Sequence, residues 1–269
     1  MNKTLTLTAI TVTLLAVTLP RVYNDYCIFM SYGPGGIPYN PLGWLAANVI
    51  IRPFAQEPFS TTVYEQKIQA GNTIGFLSDE KVAAHKRNRP VVGPHIVPHR
   101  QLTEFSEKDI RKVSSRTLST SPGEAKLIEE FESFANRNPH LVKLAPSLTE
   151  MQTDGLFLVD EVGAQNPAAR QMKNEVAHIH RLKDGSLHAT MAPADCKKLF
   201  DGGWAQRHGL SGVDIPRILT GGRKISLPVE YVLIYAPRNE EELDFVMEVV
   251  AASVKYMAKE EKENGVGNS

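Results

Sequence analysis

The spacing of apolar positions changes several times along the chain, and each change predicts an element. Residues 4–20 carry no charge, are rich in Leu, Val, Ile, Ala and Thr, and lie between Lys3 and Arg21. About 17 residues is the short end of a spanning helix. Thr18, Leu19 and Pro20 make a poor small-x-small cleavage site, so the pattern predicts an uncleaved membrane anchor over 1–22 rather than a signal peptide. Residues 23–60 form a Gly/Pro-rich membrane-proximal segment. Its apolar run from Leu42 to Ile51 is too short to cross a bilayer. That run fits either a helix lying among headgroups, with Trp44 and Arg52 as anchors, or a core helix of the following domain. Gly33-Pro34-Gly35-Gly36 is a turn, since it lacks the Gly-Lys-Ser/Thr ending of a phosphate loop.

Beyond residue 60 the period alternates between helical and extended. Helices are predicted over 61–69, 107–118 and 121–136. The last has Ser121 as N-cap, Pro122 at the first helical position and Glu124 at the third, with Leu127, Ile128, Phe131 and Phe134 as its buried stripe. Residues 155–160 predict a strand, 161–173 a loop, and 176–182 and 187–191 two strands joined by Lys183-Asp184-Gly185. Pro193 opens a helix that Gly202-Gly203 stops. Trp204, Arg207 and His208 then lie in a loop, residues 229–235 form a buried strand, and Asn239 with Glu242 starts a last helix lined by Leu243, Val246, Met247, Val250, Val254 and Met257. The order predicts an α+β domain over 61–258, a mainly antiparallel sheet with packed helices, preceded by the anchor helix. Residues 259–269 read as a disordered tail.

The turn at Gly185 decides the chemistry. A two-residue loop would pair Arg181 with His188 and send His188 to the opposite face from His178 and His180. A three-residue loop with Gly185 left-handed pairs His180 with His188 and puts three imidazoles on one face. Lys-Asp-Gly favours the second, because glycine takes the left-handed position without steric cost. Glu175 is the nearest carboxylate, but its odd parity directs it away from His178 and His180.

Lysine plus arginine equal aspartate plus glutamate at 30 each, which leaves no large positive field for nucleic acid. Two distant cysteines, Cys27 and Cys196, form neither a disulfide framework nor a metal motif. They fit a reducing compartment, and with the sole glycosylation triplet ahead of the anchor they suggest a cytosolic body on an endomembrane. The basic loop from His85 to Arg100 reads as a solvated loop, a contact for anionic headgroups, or a flap that brings His95 to the pocket.

The order HxH, DGSLH, a short helix, GWxxRHxLxG, and YAPRNEEE opening a last helix that ends VKYM resembles the fungal luciferase domain. The likeness extends to the N-terminal anchor and, more loosely, to RPxxxxHIVxxRQ around Arg89–Gln101. That family includes luciferases that oxidise the styryl-pyrone 3-hydroxyhispidin, and many relatives from fungi that emit no light. The resemblance implies an oxygenase that needs no metal or organic cofactor, with O2 as co-substrate and a lipophilic pyrone- or polyketide-like substrate. It favours His95 as a pocket residue.

Chemistry then suggests roles. His178 or His180 would take a proton from an acidic enol or phenol, with His188 and His208 orienting or polarising. Arg207 or Arg238 would hold the oxyanion or peroxide, and Trp204 and Tyr235 would line the pocket. Two alternatives use the same residues. One is a non-redox cyclase, isomerase or dehydratase. The other is a metal oxygenase on His178, His180 and His188, since two histidines two apart on a strand with a third across a hairpin make a facial ligand set. No GxSxG elbow supports a serine nucleophile. Residue types do not separate luminous from dark oxidation, and the expectation is oxidation without light.

Overall fold

The computed structural model describes residues 3–31, 37–89, 122–150, 153–163, 166–181, 185–222, 224 and 226–258. The helix expected over 107–118, His95 and the tail 259–269 lie outside the described residues. Six strands, β1 (Val142–Pro146), β2 (Asp154–Leu158), β3 (Glu175–Ile179), β4 (Leu187–Thr190), β5 (Ala205–Arg207) and β6 (Tyr231–Ile234), make one antiparallel sheet in the order β1-β2-β3-β4-β6-β5. The α+β architecture is the one the periodicity predicts. Two strands were not expected. β1 is half-buried with no clean alternation, and β5 has only three residues, so neither gives a period-two signal.

The sheet is covered on both faces, and β3, β4 and β6 are buried along their whole length. One face is apolar, with Ala177, Ile179, Leu187, Ala189, Val232 and Ile234 in the main core. The described α-helices are α1 (Lys3–Ser31), α2 (Pro41–Ala46), α3 (Thr62–Gln69), α4 (Asp79–Ala84), α5 (Pro122–Arg137), α6 (Asp160–Gly163), α7 (Pro167–Gln171), α8 (Pro193–Asp201) and α9 (Glu240–Ala258). α9 lies across β2, β3 and β4 and brings Leu243, Val246, Val249, Val250 and Val254 into that core. Its start is capped as expected, the Glu242 N–H donating to Asn239 Oδ1 at 2.9 Å, and Ser253 Oγ ties it to the Thr190 carbonyl at 2.7 Å. α8 packs beside β5 and α3. Asp195 in its first turn accepts from the N–H groups of Phe76 at 2.7 Å and Leu77 at 3.1 Å, pinning the segment before α4.

The N-terminal helix is longer than the expected anchor and continues through Pro20. Within it Thr6–Ser31 is long and apolar enough to cross a membrane. The Leu42–Ile51 run is not a core helix of the sheet domain. It packs against the end of α1, where the Trp44 indole donates to Asp25 at 2.8 Å and Tyr26 meets Trp44 edge-on at 5.9 Å. Its other side leaves Leu42, Leu45 and Val49 exposed. This segment ends in a 3-10 turn at Arg52–Phe54, and the chain then joins the sheet domain at once. Gln56 N–H donates to the Gly209 carbonyl at 2.8 Å, and Arg207 N–H donates to the Pro58 carbonyl at 2.7 Å.

Gly203 shows how closely the layers meet. Its φ is +79°, and a Cβ there would stand 1.9 Å from the Arg87 carbonyl oxygen. Arg87 itself lies over the Trp204 ring at 4.7 Å, and the Trp204 indole donates to the His85 carbonyl at 2.6 Å. Gly203→Ala should therefore cost about 3 kcal/mol or more from left-handed strain plus backbone overlap, and lower the melting temperature by roughly 6–12 °C. A thermal melt of the detergent-solubilised variant measures it.

Candidate functional site: a buried imidazole cluster

β3 and β4 pair so that His178 stands directly opposite His188, with Ile179 opposite Leu187. His180 follows opposite Ser186, to whose carbonyl its N–H donates at 2.8 Å. The connection is therefore two residues longer than the three-residue loop expected, and the partner of His188 is His178 rather than His180. Gly185 does take the left-handed conformation, with φ +66°. A slip of two keeps the parity, so the three imidazoles still share one face. Their ring centres lie 5.5 Å apart for His178–His180, 5.4 Å for His178–His188 and 4.8 Å for His180–His188. His208 joins from beyond β5, 5.1 Å from His188, and the Tyr231 ring stacks on His188 at 4.6 Å.

The side of Glu175 was misjudged. Gly155 and Leu156 pair with His178 and Ala177, but Phe157 pairs with Glu175, so Val176 is an extra residue in β3. Such a bulge reverses the parity of what precedes it. Glu175 then reaches the cluster face, and its Oε1 lies 2.9 Å from His178 Nδ1. The carboxylate also accepts from Ser147 Oγ at 2.5 Å and Leu148 N–H at 3.0 Å. Burial alone would raise its pKa, but the bonds from His178, Ser147 and Leu148 leave it below the ordinary value, so it is ionised at neutral pH.

Each imidazole is held through Nδ1. For His178 the partner is Glu175; for His180 it is Ser186 Oγ at 2.9 Å; for His188 it is the Val232 carbonyl at 3.1 Å. A carboxylate and a carbonyl only accept, so the Nδ1 atoms of His178 and His188 carry hydrogen and Nε2 is the lone-pair position of the neutral ring. Burial and the neighbouring imidazoles push the His188 pKa well below its usual value, which keeps that ring neutral. His208 has the opposite tautomer. Its Nδ1 accepts from Leu210 N–H at 3.1 Å, which places the proton on Nε2, and burial with the nearby His178 lowers its pKa to about 4. Burial also raises the Tyr231 hydroxyl well above its ordinary pKa, leaving it a neutral phenol beside Thr149.

The other expected site residues are placed elsewhere. Trp204 is fully buried between Arg87 and Phe245, and Tyr235 donates to Gln206 Oε1 at 3.0 Å. Among the described contacts neither ring touches an imidazole. Arg207 pairs with Val232 in the sheet and so points to the face away from His188; it donates to the Ser211 carbonyl at 2.5 Å. Arg238 is held by Glu242, which accepts from its guanidinium and, at 2.7 Å, from its backbone N–H. Ser147, Thr149, Ser186 and Tyr231 support the cluster and were not anticipated. Tyr231 had a usable signal, since it lies in the strand expected over 229–235.

Residues 173–253, which contain the bulge, the histidine hairpin and most of α9, match the family model described as a luciferase domain. That segment is similar to a luciferase domain. Outside the domain the likeness continues: the chain is similar to luciferases of Armillaria ostoyae (28% identical), Armillaria mellea (29%) and Neonothopanus nambi (28%). Each comparison spans 91% of this chain and 84–85% of the relative. No solved structure matches it. Similarity to these proteins supports a luciferase-like enzyme.

The Arg238–Glu242 pair yields a test of what those residues do. Burial would raise the Glu242 pKa, but the bonds from Arg238 and the charges of Arg87 and Arg238 hold it below the ordinary value. A depressed carboxylate stabilises the fold above its unfolded pKa of about 4.3, and that contribution fades as pH falls through the folded value. Glu242→Gln should therefore be less stable than the parent by about 2 kcal/mol at pH 7. The gap should close below about pH 4, as followed by denaturant melts across pH.

Proposed function

We propose that the protein is a membrane-anchored, luciferase-like oxygenase that acts at the imidazole cluster on a lipophilic, electron-rich enol or phenol of pyrone or polyketide type. The observation that carries this reading is the Glu175–His178 pair at the centre of four converging rings, inside a luciferase domain. In the metal-free enzyme Nε2 of His178 takes the acidic O–H proton, and the Glu175 carboxylate stabilises the imidazolium that results. The substrate anion then gives its electrons to O2 in one-electron steps. A C–O bond forms, the oxygen is reduced to the peroxide level, and the proton returns to the distal oxygen. His208, neutral with hydrogen on Nε2, donates to the developing negative charge. His180 and His188 keep the base oriented.

The lipophilic substrate class is supported by the way the anchor meets the site. Only about two residues, or 7 Å of chain, separate the 3-10 turn at Phe54 from Gln56, and Gln56 is bonded to the residue after His208. The side of the site that carries His208 therefore sits close to the apolar segment. A substrate dissolved in the bilayer has a short path to it.

Detergent-solubilised protein should consume O2 with hydroxylated pyrone candidates, oxygen and light being followed together. His178→Ala should lower kcat by about 10²–10⁴, with circular dichroism confirming that the variant is folded, because it also leaves the buried Glu175 short of a partner. Product formed without oxygen uptake would reassign the same cluster to a non-redox cyclase or dehydratase. Silence in both channels would remove the pyrone class. Alkaline carbonate extraction of membranes should leave the full chain in the pellet and release a version lacking residues 1–31.

A further inference from the structure

We propose that His178, His180 and His188 form a binding site for one divalent first-row transition-metal ion, with Glu175 as the residue that orients His178 on it. The proposal deepens the oxygenase reading and rests on it only for what the bound ion does. The binding itself is argued from geometry.

One nitrogen from each ring can be chosen so that all three lie within 4.8 Å of one another, and all three side chains are buried. An ion about 2.1 Å from each nitrogen lies about 3.2 Å from each ring centre, which sets the centres roughly 4.5–5.2 Å apart at tetrahedral or octahedral angles. The observed centres, 4.8, 5.4 and 5.5 Å apart, lie within or just beyond that range, and the nitrogens, spread over as much as 4.8 Å, would draw in to about 3.0–3.4 Å on binding.

The outer contacts are those that metal-bound histidines use. An imidazole ligand donates its second nitrogen to a carboxylate, a carbonyl or a hydroxyl, which fixes tautomer and ring plane. Here the three Nδ1 atoms meet one of each: the Glu175 carboxylate, the Val232 carbonyl and the Ser186 hydroxyl. Each Nδ1 is thus taken by a partner that is not an imidazole.

Three nitrogen ligands on one side leave coordination positions for a small molecule, and imidazole sets favour iron, copper, nickel or zinc over magnesium or calcium. An ion there would hold the enol oxygen of the substrate and, as a Lewis acid, would make its O–H more acidic. His208 is not in the ligand set, since its proton sits on Nε2, and it stays available to donate to the bound molecule.

The test uses the full chain, purified in detergent without a polyhistidine tag or chelator. Elemental analysis should give close to one equivalent of a transition metal. After chelation, Co2+ added to the apoprotein should bind one to one with visible ligand-field bands. Glu175→Gln keeps all three ligands and should weaken Co2+ binding by about 10–100-fold, while His188→Asn should abolish the bands. Thermal melts should show the parent gaining stability from Co2+ and His188→Asn gaining none. Should the variants fail to fold, the parent titration alone still decides. Absence of both stoichiometric metal and Co2+ bands at about 100 μM would overturn the site and leave proton transfer at His178 intact. Metal binding without oxygen uptake would sustain the site and overturn the oxygenase reading instead.

Discussion

A buried carboxylate is costly unless its lone pairs are filled, and the way Glu175 solves this organises the whole cluster. Four groups converge on it: His178 from its own strand, and Ser147, Leu148 and Thr149 from the β1–β2 connection. Those bonds draw the connection over the imidazole face. They also fix His178, and through the His178–His188 register the position of the neighbouring strand. Val176 makes this possible, because only a residue out of step lets Glu175 and His178 share a face three positions apart.

The two faces of the sheet divide the work. The face under α9 is filled by small and branched apolar residues that supply most of the burial. The other face carries a polar network in which every described imidazole has a hydrogen-bonding partner. Strands buried on both sides usually read as continuous apolar runs. β3, the residue after it and β4 depart from that with His178, His180, His188 and Thr190, and the departure marks the face that holds the imidazole cluster.

What the sequence reveals follows from how local each signal is. Helix α8 begins at Pro193 and stops at Gly202, and α9 opens on its Asn239 cap, because those effects act within one turn. The common face of the three histidines is legible from parity alone, even though the register slips by two, since an even slip preserves sides. The position of Glu175 is not legible, because a bulge is set by the partner strand as much as by its own residues. Arg207 looked suited to an anion but is directed elsewhere by β5, a strand too short to announce itself. The bond between Arg238 and Glu242 spans four residues at a helix start, and was visible in principle as an i,i+4 pair.

β5 is the last strand of the sheet, and an open strand edge invites pairing with another chain. Here the edge is closed by Pro58, which accepts the Arg207 N–H, and Gln56 bonds the loop just beyond. The segment between α1 and the sheet domain is thus a structural piece of the sheet rather than a leash. A version lacking the apolar N-terminal helix would have to be cut before Gln56. Trimming to the start of α3 would leave the border of the sheet bare beside His208 and invite self-association there.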